Sequence, residues 1–251
     1  MTRKVAGMQF DSWDVPRNSI AEDGPVRVAF TLEGRRREAD AVDVDEVRFE
    51  LCAPIRDFPS WRLKRHYSGS LWMSRLNRHV VFESFAERSF LLELDRSERL
   101  LAVASQPMLI RWQGAEVAHT PDFFVRLRGA PGILVDVRPA SRIDERARRQ
   151  FDRTAHFAAA RGWAYVVHQG LSKVRDANLR FLSRYRDPRW NFGDPPKLPT
   201  GPLGTVTDLA AHLDHDGRGL ARCYWLLWTE FVTFDQEMPI TLSTRLRKGM
   251  A

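Results

Sequence analysis

Between about residues 80 and 170 the chain reads helix, strand, strand, strand, helix, strand, and this order constrains the fold more than any other feature. A helical pattern over 84–96 precedes apolar runs at 100–106 and 108–112, a strand interrupted by Pro107, which has no ladder donor. The next strand covers 122–127, and the turn Gly129-Ala-Pro-Gly132 returns the chain into 133–138, so the two form an antiparallel hairpin. Residues 144–161 then put Ala147, Phe151, Thr154, Ala155 and Ala158 on one stripe, the spacing of an amphipathic helix, with Gly162 as its stop. The apolar run 163–167 fits a buried strand. A strand, helix, strand connection of that length implies a right-handed crossover to a parallel neighbour. The expected fold is α/β, a mixed sheet flanked by helices over 76–190.

The flanks read differently. Residues 1–75 form a β-rich extension, with alternating segments at 26–32 and 47–51 and a solvated acidic loop around Asp40, Asp43, Asp45 and Glu46. A helix over 174–185 carries Arg175, Arg180, Arg184 and Arg186 on or beside it. Four prolines within 194–202 disfavour helix and central strand and mark a linker over 191–202. Past it, Thr207 caps a helix through His212, 219–228 forms a second helix, and 230–234 with 240–244 forms a small hairpin. Helix, helix, hairpin is the layout of a winged-helix module over 203–251.

The 251 residues suffice for one α/β core and a small appendage, since domains run about 100–200 residues. A chain that is 43% hydrophobic is too apolar for wholesale disorder, yet no run approaches the ~20 apolar residues of a membrane span. The N-terminal residues are broken by polar positions before a signal-type apolar stretch forms, so the expected compartment is the cytoplasm, with no membrane partner. Cys52 and Cys223 lie in unrelated segments, which supports neither a disulfide framework nor a zinc finger; both read as small buried residues. His212 and His215 read as surface histidines. Net charge is +7, carried by arginine far more than lysine, and arginine suits forked contacts to phosphate; charge alone does not establish a nucleic-acid partner. No phosphate-cradling glycine loop, Gly-x-Ser-x-Gly elbow or His-Glu-x-x-His helix is present.

The chemistry is expected in the hairpin. Side chains alternate along a strand, so its even-numbered positions share one face and bring Asp122, Asp136 and Arg138 together. Asp136 interrupts the apolar run 133–137, where an ionised carboxylate is costly unless paired or metal-bound. Two carboxylates and the Val137 carbonyl suit a hard divalent ion, Mg²⁺ or Mn²⁺, which makes water more acidic and polarises a phosphodiester. Arg138 can stabilise charge on the phosphate oxygens. The preceding helix offers Glu83 and Glu87, one turn apart, and Glu87 is the favoured ligand. Ser84 to Glu87 is equally a capping box, in which Glu87 folds back on the helix N-terminus. Asp122 also reads as a plain strand-opening residue, and Asp136 as one half of a buried ion pair with an arginine. Gln106 either satisfies backbone groups at the strand break or approaches DNA, and Arg142, Arg180 and Arg184 are further candidate DNA contacts.

Taken in order, Glu83 to Leu92, Ser105-Gln-Pro107, His119-Thr-Pro-Asp122 to Val125, Val135 to Arg138, Ala177 to Arg186 and Leu226 to Trp228 resemble the TnsA endonuclease subunit of heteromeric transposases, over roughly residues 50–245. The resemblance implies a restriction-endonuclease-like core and a catalytic set at Glu87, Asp122, Asp136 and Arg138. It further implies nicking of one strand at transposon ends, a DDE-type transposase partner, an ATPase regulator, and association with the nucleoid when assembled on DNA. The C-terminal module would contact DNA or the regulator. The family has lysine where this chain has Arg138, and arginine does not release its proton to act as a base. A catalytically weakened DNA-binding or assembly subunit is therefore a second expectation, and a stand-alone defence or repair nuclease a third. The first 50 residues match no known pattern.

Overall fold

The apolar alternation of the central segment resolves into strands in a computed structural model, which describes residues 2–5, 8–11, 24–56, 68–191 and 198–249. Five α-helices and several small sheets make the described chain mixed α/β. It divides into two compact units, Met1–Phe90 with Arg99–Gly170, and Leu91–Glu98 with Leu171–Ala251. The division thus falls at 170/171 rather than in the expected linker, of which residues 192–197 lie outside the described residues.

In the first unit the strands are β1 (Thr2–Val5), β2 (Met8–Asp11), β3 (Val26–Leu32), β4 (Arg35–Asp40), β5 (Gly69–Met73) and β6 (Arg78–Phe82). After them come α1 (Phe85–Asp95), of which residues 91–95 belong to the second unit, and then β7 (Leu100–Ser105), β8 (Met108–Trp112), β9 (Val117–His119), β10 (Phe123–Leu127), β11 (Ile133–Val137), α2 (Glu145–Ala159) and β12 (Ala164–His168). The central sheet has the order β12-β11-β10-β7, with β11 and β12 parallel and the other pairs antiparallel. That is the expected hairpin and crossover. A second sheet, β4-β3-β8-β9, joins β3 to β8, so residues 26–40 pair directly with the core.

Residues 100–112 were expected as one interrupted strand and are two, in different sheets. Pro107 removes a ladder donor, and Gln106 turns the chain from one sheet to the other at φ 45°, a left-handed conformation unusual for a side chain of its size. The expected strand at 47–51 is instead a helical turn, Phe49–Leu51. Phe49 there packs edge-on against Phe30 and Trp163, at ring distances of 5.4 and 5.5 Å, and burial of that ring outweighs the weak alternation of the segment.

The apolar core lies where Val28, Phe30, Ile110 and Trp112 of one sheet meet Phe124, Leu134, Tyr165 and Val167 of the other, closed by α2 through Phe151, Ala155 and Ala158. Each large side chain buried here contributes about 1.5–3 kcal/mol. Asp144 caps α2, accepting from the Ala147 N–H over 2.8 Å, and Gly162 takes φ 66° beyond its end. The alternate side chains of the central sheet meet α1, where Phe90 packs at 5.3 Å from Phe123 and 5.2 Å from His168.

The second unit contains α3 (Lys173–Leu182), α4 (Val206–Leu213), α5 (Gly219–Trp228), β13 (Val232–Thr233) and β14 (Arg247–Lys248). Thr205, not Thr207, caps α4: its side chain exchanges bonds with Asp208 while Thr207 donates to the Leu242 carbonyl. The partner of β13 is β14 rather than 240–244, because Ile240 is held instead by Asn178, whose side chain also binds the carbonyls of Gln236 and Met238. Buried Arg96 donates to the Leu227 and Trp228 carbonyls, satisfying acceptors that the end of α5 leaves open. His212 and His215 are exposed, and no helix among the described residues is long and apolar enough to cross a membrane. Both cysteines are free and buried; burial holds the Cys52 thiol at about 11 and the Cys223 thiol at about 12, so neither supplies a thiolate.

Candidate functional site

The pairing Phe123↔Val135 and Phe124↔Leu134 sets Asp122 beside Asp136 at one end of the hairpin, on the face shared by Phe124 and Leu134. Both aspartates line one cavity of about 650 Å³ together with Glu83, Glu87, His119, Arg138, Ser141 and Arg142. The sequence-derived set Glu87, Asp122, Asp136, Val137 and Arg138 is therefore brought to a single cavity, along with Arg142. The site lies at the carboxyl end of β11, beside a parallel neighbour, where α/β sheets commonly bind ligands.

Each carboxylate is held by different groups. Asp122 accepts from the Val137 backbone N–H over 2.7 Å. Burial pushes its pKa well above the usual carboxylate range, and the neighbouring charges of Asp136 and then Glu87 push it further in the same direction. Asp122 therefore feels both of the other acids. Glu87, 7% exposed, accepts from the Glu83 N–H over 2.7 Å and from the Ser84 hydroxyl over 2.8 Å, while Ser84 Oγ accepts from the Glu87 N–H over 3.2 Å. Burial raises the Glu87 pKa, and those two donors oppose the rise. Glu87 thus caps its helix, as one of the two sequence readings had it, and also lines the cavity.

Asp136 is 3% exposed, and its partners are not arginines. Nε2 of His119 lies 3.0 and 2.8 Å from its two oxygens, and the Tyr165 hydroxyl donates to Oδ2. Burial first, and the Asp136 charge next, hold the phenol well above its ordinary range, so it remains a donor. Arg138 is exposed; its N–H continues the parallel ladder to the His168 carbonyl, and its Nε donates to the Arg142 carbonyl over 3.0 Å. The two guanidinium groups stand on the cavity wall with the acids.

Gln106 is 1% exposed and does not line this cavity. Its side chain is bound to Arg56 and its backbone to Asp122, so it satisfies groups at the strand break, and the expectation of a DNA contact is corrected. Arg180 and Arg184 belong to the second unit: Arg180 pairs with Asp176 at 3.0 Å, and Arg184 lies 6.0 Å from the centre of the Phe181 ring.

Sequence reading assigned no role to His119, Tyr165 or Arg56. Tyr165 was accessible in principle, since the parallel register pairs it with Leu134 on the face of Asp136. Arg56 was not: the groups it binds, Glu83 and Gln106, lie 27 and 50 positions away.

The oxygen-only acidic set is chemically suited to a hard divalent ion. Among the described residues, however, no three His, Cys, Asp or Glu side chains converge as they would around one ion. The bonds just described account for this, since every one of the three carboxylates is turned toward a protein donor. When the chain is compared with known protein families and with curated proteins, no family model and no curated protein matches it.

Proposed function

We propose that this chain is a metal-dependent DNA endonuclease subunit with a restriction-endonuclease-like core, similar to the TnsA subunit of a heteromeric transposase. One observation carries the reading: Asp122 and Asp136, adjacent across a hairpin, share a cavity with Glu87, and their charges act on one another beside two arginines. A buried acid in a cleft whose pKa is raised by burial together with neighbouring charges is a candidate functional group.

In this reading Glu87, Asp122 and Asp136, with the Val137 carbonyl, hold Mg²⁺ or Mn²⁺. The ion would polarise the scissile phosphate and make water acidic enough to react near neutral pH. Arg138 and Arg142 bind the phosphate oxygens and balance their charge as water adds to phosphorus and one P–O ester bond breaks. His119 and Tyr165 keep Asp136 aimed at the cavity. Residues 203–251, read as a winged-helix-like module, contact DNA ends or a regulator. A DDE-type transposase and an ATPase are the partners this reading calls for.

The test is nicking of transposon-end DNA by the purified protein, with its transposase partner present and with Mg²⁺ or Mn²⁺ supplied. Ion-dependent nicking that Asp122→Ala abolishes is expected; nicking unchanged by Asp122→Ala refutes the reading. The unconverged carboxylates and the arginine at 138 favour a second reading, a DNA-binding assembly subunit without cleavage. That protein would bind end DNA while nicking under none of these conditions.

A further inference from the structure

Arg56 and Gln106 do not themselves line the cavity, yet they bond to residues that do and connect the elements that carry two of its acids. Arg56 Nε donates to Gln106 Oε1 over 2.9 Å, and its Nη2 donates to Glu83 Oε2 over 2.8 Å. Glu83 is also the residue whose N–H holds the Glu87 carboxylate. At the other end, the Gln106 N–H donates to the Asp122 carbonyl over 2.8 Å, and the Gln106 carbonyl accepts from the Ile55 N–H over 2.9 Å. The chain of bonds runs from Glu87 through Glu83, Arg56 and Gln106 to Asp122.

Gln106 makes these bonds from a left-handed backbone conformation, φ 45°, at the point where the chain leaves one sheet for another. Such conformations persist when their surroundings fix them, and they cluster at functional sites. A glutamine is the wrong residue for the backbone there, because glycine or asparagine adopts that φ more readily. What glutamine supplies is reach: a buried amide long enough to meet the Arg56 guanidinium. The arginine fork then spans two acceptors that a lysine ammonium, a single point charge, does not bridge in the same plane.

We infer that Arg56 and Gln106 form a positioning strap that sets the separation of Glu87 and Asp122, and with it the affinity of the site for a divalent ion. The inference rests on the metal-dependent reading above. Outer groups that orient metal ligands typically change affinity 10- to 100-fold when removed.

The decisive experiment is calorimetric titration of the full chain with MnCl₂, alongside thermal melting. Gln106→Asn suits the left-handed backbone but shortens the side chain by one methylene; Arg56→Lys keeps the charge but not the fork. Each is expected to weaken Mn²⁺ binding at least about 10-fold while Tm stays within about 4 °C. Affinities equal to that of the unaltered protein overturn the strap, as does a loss that tracks a falling Tm. If the unaltered protein takes up no Mn²⁺, the nuclease reading itself fails and carries the inference with it.

Discussion

The Val137 backbone N–H donates to the Asp122 carboxylate over 2.7 Å, so a side chain of one hairpin strand completes the ladder of the other at the cavity edge. The bond fixes where Asp122 points, and it stabilises the ionised form that burial and two neighbouring acids oppose. Opposition wins: the proton is held more tightly in the folded protein than in the unfolded chain. Asp122 is consequently a charge that the fold tolerates at a cost in stability.

The first prediction takes its sign from that shift. A carboxylate whose folded pKa is raised contributes stability below its unfolded pKa, about 3.9 for aspartate, and loses it as pH rises through the folded value. Melting in EDTA should therefore show the Asp122 contribution fading from pH 4 upward. Asp122→Asn keeps an acceptor for the Val137 N–H and removes the charge, so it should raise Tm at pH 8 and flatten the decline. A Tm at pH 8 lower than that of the unaltered protein would contradict the assignment.

The cap that Glu87 makes and the ligand role proposed for it separate by substitution. Ser84→Ala removes the hydroxyl that exchanges bonds with Glu87 and should cost about 1 kcal/mol, the usual worth of a cap. Glu87→Gln retains an acceptor for the Glu83 N–H and a donor toward Ser84, so stability should hold while divalent-ion binding and nicking are lost. Full nicking by Glu87→Gln would reduce Glu87 to a helix cap.

Asp122, Asp136, Val137 and Arg138 were legible in the sequence because strand alternation is local and survives a small error in where the turn is centred. The observed register differs little from the expected one, and the shared face is unchanged. The second ladder strand, Arg247–Lys248, was not legible: its position depends on Asn178, a residue of α3, holding the intervening loop. The same limit hid the partners of Asp136. An aspartate in an apolar strand announces that it has a partner, but Tyr165 comes from the neighbouring parallel strand and His119 from the end of β9 in the other sheet, neither by spacing along the chain.

Those partners give the third prediction. Tyr165→Phe leaves the ring packed against Phe151 and takes one donor from a buried carboxylate, at a cost of about 1–3 kcal/mol in urea unfolding. His119→Ala should cost a similar amount. Together they leave a buried carboxyl group without the side-chain partners found among the described residues, so the double variant should lose more than the sum of the two. Simple additivity would mean that Asp136 is satisfied by other groups.

Under the proposed reading Arg138 is the residue that bears on cleavage as against binding alone, and it yields the last prediction. Its Nε is anchored on the Arg142 carbonyl at 3.0 Å, which leaves the guanidinium fixed on the cavity wall beside the acids. Under that reading its role is to bind phosphate and not to accept a proton, since a guanidinium is not deprotonated in proteins. Removing it by Arg138→Ala should lower kcat/KM for nicking about 100-fold, the scale of one lost transition-state donor. Arg138→Lys preserves the charge and should retain at least the unaltered rate, because a point charge suffices for electrostatic balance at phosphorus. A lysine variant as inactive as the alanine one would show that the fork, not the charge, does the chemistry. Unchanged kcat/KM in Arg138→Ala would remove Arg138 from the reaction altogether.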